Sequence, residues 1–134
     1  MITYLNNLNQ RRIKMDDWQK NLKKRTKDFA LDIIRLYCSL PKTPVAQVLG
    51  KQLLKSGTSP GAHYREALRA RSTAEFISKL EGGLQELEET AYWSELLVES
   101  EIVQKDEMNP LLTETDELTA MFTASVITAK KKKK

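Results

Sequence analysis

The chain has 134 residues, 40% of them hydrophobic, with 22 Lys and Arg against 18 Asp and Glu, a formal charge of +4 and a pI near 9.2. That length describes one domain with enough apolar side chains for its own core, so neither disulfides nor a metal is needed to hold it together. The single cysteine, Cys38, excludes an internal disulfide, no apolar run approaches the roughly 18 residues of a membrane span, and the start, MITYLNNLNQRRIK, is too polar for a secretory signal; the expectation is a cytoplasmic protein with no membrane partner.

The N-terminal stretch, residues 1–20, reads as an extension ahead of the fold, with Ile2, Leu5 and Leu8 able to form a short helical turn. From Leu22 to Leu40 the apolar residues Phe29, Ile33, Leu36, Tyr37 and Leu40 make one helical stripe, and Pro41 ends it. Thr43-Pro44 is a helix start, because the threonine oxygen caps free amides while proline at the first helical position loses no needed donor. Val45, Val48, Leu49 and Leu53 form the stripe of this second helix, which runs into Ser56-Gly57-Thr58-Ser59-Pro60-Gly61. Two helices meeting at Pro60 or one long helix kinked there both satisfy that run, and the kinked helix is preferred because small residues at this spacing let a neighbouring backbone approach closely.

Ser72-Thr73-Ala74-Glu75 predicts a capping box, and Phe76, Ile77, Leu80, Leu84, Leu87, Ala91 and Leu97 continue a third helix to about Val103. Gly82-Gly83 in its middle predicts a close helix crossing. Asn109-Pro110 opens a fourth helix with Leu111, Leu118, Phe122 and Val126 on its stripe. No segment alternates with a period of two, and the connections are short. The expected fold is therefore all-α, an up-down antiparallel four-helix bundle over residues 21–129, followed by a disordered lysine tail, 130–134.

No catalytic constellation stands out. A di-iron carboxylate site would need Glu-x-x-His pairs, yet the one histidine, His63, has proline three residues before it. One Cys and one His cannot supply a zinc set, and Ser56 to Gly61 lacks the lysine and preceding strand of a phosphate loop. Cys38 reads as a structural residue near the apolar side of the first helix, and His63 as a hydrogen-bonding residue at the kink. No cofactor, metal or small-molecule substrate is expected. Charge is the stronger signal: residues 1–72 hold fifteen basic and five acidic side chains, residues 73–107 two basic and ten acidic. Either the acidic segment complements the basic ones within the assembly, or a basic face is presented to nucleic acid. On the second helix Lys51 and Lys55 are i, i+4 neighbours, as are Arg65 and Arg69; with Arg71 they are the candidate nucleic-acid-binding residues.

The run Gln52 to Leu97, QLLKSGTSPGAHYREALRARSTAEFISKLEGGLQELEETAYWSELL, resembles the signature of the 23S rRNA intervening-sequence protein family, and Arg25 to Thr43 and Asp116 to Lys131 resemble the same family in the expected order. The family usually has Gly-Ala-Asn where this chain has Gly61-Ala62-His63. The resemblance implies a four-helix bundle without enzymatic activity, commonly a homopentamer. It is also similar to the accessory variability determinants of diversity-generating retroelements, which implies RNA or a ribonucleoprotein as partner, a reverse transcriptase among the candidates. Motif positions such as Ser56, Gly57, Gly61 and Tyr64 then read as mainly structural. Tyr92 and Trp93 are adjacent and so point about 100° apart on a helix; one can bury while the other anchors a subunit contact, or both can be ordinary half-buried aromatics.

Overall fold

A computed structural model describes residues 15–132 as four helices: α1 (Met15–Ser39), α2 (Pro44–Leu68), α3 (Thr73–Glu99) and α4 (Lys105–Lys132). Each helix packs against its neighbours in chain order and α4 returns to α1, while the diagonal backbones stay apart, which is the arrangement of an up-down bundle. Direction is visible at three glycines. As α2 proceeds from Gly50 to Gly57 to Gly61, the residues its backbone faces on α1 recede from Leu40 to Ile33 to Thr26, so the two helices are antiparallel.

Of the predicted α1 stripe Phe29, Ile33, Leu36 and Leu40 are buried and Tyr37 is half-buried at the core's margin, while Leu22 joins the buried set. The helix starts earlier than expected, at Met15, so residues 15–20 belong to it; the rest of the expected extension, 1–14, lies outside the described residues. Thr43 caps α2, its hydroxyl accepting from the Ala46 amide at 3.3 Å with Pro44 in the first turn. The buried face of α2 differs from the expected one. Val45 and Val48 are exposed, and the seam runs through Ala46, Gly50, Leu53, Gly57, Pro60, Gly61, Tyr64 and Ala67. α2 turns its smallest residues inward because α1 lies so close that larger ones would not fit. The helix continues through Pro60, and the preceding hydroxyls bond back to its carbonyls, Thr58 to Leu54 at 2.7 Å and Ser59 to Lys55 at 2.6 Å.

Ser72 caps α3 by accepting from the Glu75 amide at 3.0 Å. The reciprocal half of the capping box is not made; the Glu75 carboxylate instead lies 3.8 Å from Arg71 Nε. Gly82 and Gly83 do mark the close crossing: a Cβ on Gly83 would lie 2.5 Å from Phe122, and one on Gly82 3.0 Å from the His63 ring. Ile77, Leu80, Leu87 and Leu97 are buried, whereas Phe76 and Leu84 are half-buried at the core's margin. α3 ends in a Schellman turn, with Glu101 at φ 64° and the Ile102 and Val103 amides both donating to the Leu97 carbonyl.

α4 begins at Lys105 rather than at Asn109-Pro110, with the Gln104 carbonyl accepting from the Glu107 and Met108 amides, so Pro110 sits inside the helix. At its other end Lys130–Lys132 are helical, and Lys130 Nζ lies 3.5 Å from Glu81; of the expected disordered tail only Lys133 and Lys134 fall outside the described residues. The central contact of the core is diagonal, Tyr64 against Phe122 with ring centroids 5.8 Å apart. Burial pushes the Tyr64 phenol up to about 12. Its neutral form is thus favoured by folding, and the stability this gives is present below pH 10 and lost as pH rises through 12. Absorbance at 295 nm should show one tyrosine ionising later than the others, and Tyr64→Phe should remove that late step and soften the alkaline loss of helicity.

Candidate nucleic-acid interface

The outward face of α2 carries Lys51, Lys55, Arg65 and Arg69, all exposed, separated by Thr58 and Ala62 on the same side. Antiparallel pairing with α1 sets what stands beside them. Gly61 lies against Thr26, so one turn further along α2 Arg65 reaches the level of the α1 lysines, and Lys23, Lys24, Lys27 and Arg65 together line one shallow cleft of about 280 Å³. Lys24 is engaged with Asp28 at 2.7 Å, an exposed pair of little energetic weight that leaves its charge on the surface. Sequence spacing finds the α2 pairs; the α1 lysines are visible there only as part of a basic block, because their meeting with Arg65 depends on helix pairing.

Arg71 does not join this face. It stands in the α2–α3 turn beside Glu75 and lines a different concavity. Glu66 also leaves the basic stripe, facing α3 with its carboxylate 3.7 Å from His63 Nδ1 and 3.9 Å from Lys79 Nζ. His63 is thus a half-buried spacer against Gly82 whose Nδ1 makes no hydrogen bond within the described residues, rather than the hydrogen-bonding residue expected. Cys38, expected on the apolar side, is exposed.

Tyr92 and Trp93 divide as adjacent helical residues must. Tyr92 is 54% exposed, while Trp93 packs against the core with its indole Nε1 buried and unpaired among the described residues. Their rings meet edge to face at 5.1 Å. A feature with no sequence signal joins α1 to α4: the Arg25 guanidinium donates to Glu114 at 2.5 Å and 3.0 Å, to Glu117 at 3.0 Å, and contacts the Met121 sulfur. Burial alone would lower the Arg25 pKa, but the hydrogen bonds and charges of the two glutamates outweigh it and hold the guanidinium above its ordinary value. Among the described residues no group of three or more His, Cys, Asp or Glu side chains could hold a metal ion, and no helix is long and apolar enough to cross a membrane.

The profile described as 23S rRNA-intervening sequence protein matches residues 19–124, which takes in all of α2 and α3 and most of α1 and α4. The chain belongs to the 23S rRNA-intervening sequence protein family. A solved structure agrees: a protein of unknown function from the S23 ribosomal protein family of Bacteroides thetaiotaomicron is 35% identical, with a TM-score of 0.76 over 81% of this chain and 96% of that one. No curated protein matches. The matched span thus holds the α2 stripe and its cleft with α1, and ends before the helical lysines of α4.

Proposed function

We propose that the protein is a non-enzymatic homo-oligomer, a pentamer being favoured, that binds RNA or a ribonucleoprotein through the outward basic face of α1 and α2. The observation that carries the reading is the cleft where Lys23, Lys24 and Lys27 meet Arg65, continued along α2 by Arg69 at one end and by Lys55 and Lys51 at the other. A line of cations along one face follows a phosphate backbone largely without regard to sequence, and repetition in an oligomer would extend it. Assembly is supported by Tyr92, a large aromatic left exposed on α3 beside the half-buried Trp93. A reverse transcriptase complex is one partner that such a face would suit.

Binding of a structured RNA should therefore fall steeply with salt, by roughly 0.7 to 0.9 logarithmic units per phosphate contact for each tenfold rise. Light scattering on the same sample should give a multiple of the 15.4 kDa chain mass. The second reading, a protein-interaction scaffold, draws on the exposed carboxylates of α3, among them Glu88 and Glu95, which could receive the basic face of the next copy. An intact oligomer that binds no RNA at about 50 mM salt would favour the scaffold.

A further inference from the structure

At the end of the bundle where α2 turns into α3, the last turns of α4 leave a groove of about 610 Å³, well within the size of small-molecule sites. Its floor is apolar, built from Tyr64, Leu68, Phe76 and Ala129. Its margin is cationic: Arg71 comes from the turn and Lys132 from the end of α4, and both are exposed. Ser72 and Thr73, the cap and first residue of α3, lie in the same wall, so the positive end of that helix faces the groove.

A second observation points the same way. Tyr64 is only 2% exposed, lines the groove, and its hydroxyl has no hydrogen-bond partner among the described residues. The oxygen itself is not sealed in the core, so the one polar atom of this otherwise buried side chain is open to the groove. Packing explains the ring, which lies tilted against Phe122, and leaves the hydroxyl available to a ligand or to water.

We propose that this groove binds a small amphiphilic anion, an apolar body lying on Leu68, Phe76 and Ala129 whose carboxylate or phosphate takes the Tyr64 hydroxyl and the Arg71 and Lys132 cations. The charge at the margin selects an anion over a neutral molecule of the same shape. The apolar floor selects an amphiphile over inorganic phosphate. The site is separate from the basic face of α1 and α2 and does not depend on RNA binding.

Titration calorimetry of the full chain with octanoate, octyl phosphate, 1-octanol and inorganic phosphate tests it. Octanoate or octyl phosphate should bind once per protomer, the preference between them telling a carboxylate from a phosphate site, while octanol and inorganic phosphate should bind at least about tenfold more weakly, a difference of about 1.4 kcal/mol. Arg71→Gln combined with Lys132→Gln should cost a similar factor, as should Tyr64→Phe. Ala124→Trp, at an exposed position on the groove wall, should block binding while leaving the helical circular dichroism unchanged. Equal affinity for octanol, binding that survives Ala124→Trp, or no binding of either anion at about 1 mM would overturn the proposal. So would dissociation of an oligomer by Ala124→Trp, which would make the groove an interface between copies.

Discussion

Replacing Arg25 by alanine should destabilise the bundle by about 3 kcal/mol, because it leaves the Glu114 and Glu117 carboxylates facing a gap with no cation between them. Of the helix pairs that touch, α1 and α4 touch least, so this cluster is the main polar tie across the seam that closes the ring. Arg25 is 12% exposed and the two glutamates 28% and 27%, which gives solvent little room to replace the guanidinium. Thermal unfolding should drop by roughly 10 °C. Adding Glu114→Gln and Glu117→Gln to the Arg25 variant should recover part of the loss, since the repulsion and the stranded charges go together. A loss below about 0.5 kcal/mol would put this cluster among ordinary surface pairs.

Gly57→Val should be at least as damaging. A Cβ at Gly57 would lie 2.6 to 2.9 Å from three carbons of Ile33, a fully buried, β-branched side chain. Alanine there already forces about 1–3 kcal/mol of strain, and valine adds two methyl groups and a poorer fit to a helix. The cause can be isolated by a double-mutant cycle: Gly57→Ala should be far better tolerated on an Ile33→Ala background, with a coupling of about 1 kcal/mol or more. Additive losses would mean that the spacing of α1 and α2 is not set where Gly57 meets Ile33.

These two sites show what can be read in advance. The α1 stripe is legible because Phe29, Ile33, Leu36 and Leu40 are large and apolar, and the caps of α2 and α3 because Thr43-Pro44 and Ser72 are local chemistry. Hydropathy points the inner face of α2 to Val45 and Val48, wrongly, since a seam of Ala46, Gly50, Gly57 and Gly61 carries almost no hydropathy signal and is recognisable only as a run of small residues. Local signals also put the start of α4 at Pro110, because Gln104 to Asp106 has no cap-plus-proline signature and the helix is started by backbone carbonyls instead. Of the candidate interface, the i, i+4 pairs on α2 are visible in the sequence. The place of Arg71 in the turn follows from its position just before the Ser72 cap, whereas the cleft with the α1 lysines and the Arg25 cluster depend on which residues distant in sequence are brought level, which local spacing does not encode.

The central claim is that the outward face of α1 and α2 meets the phosphate backbone, and a comparison at matched charge tests it. Lys51, Lys55, Arg65 and Arg69 changed together to glutamine remove four charges per protomer, and so does a variant with four of the residues Lys130 to Lys134 changed in the same way. Binding of one structured RNA is then measured against salt for both. The face variant should bind more than about tenfold more weakly and flatten the salt dependence by about one unit for each phosphate it no longer neutralises, with helicity and oligomer mass unchanged. The tail variant should keep most of both. The reverse order would contradict the account, placing the RNA-binding surface on the C-terminal lysines.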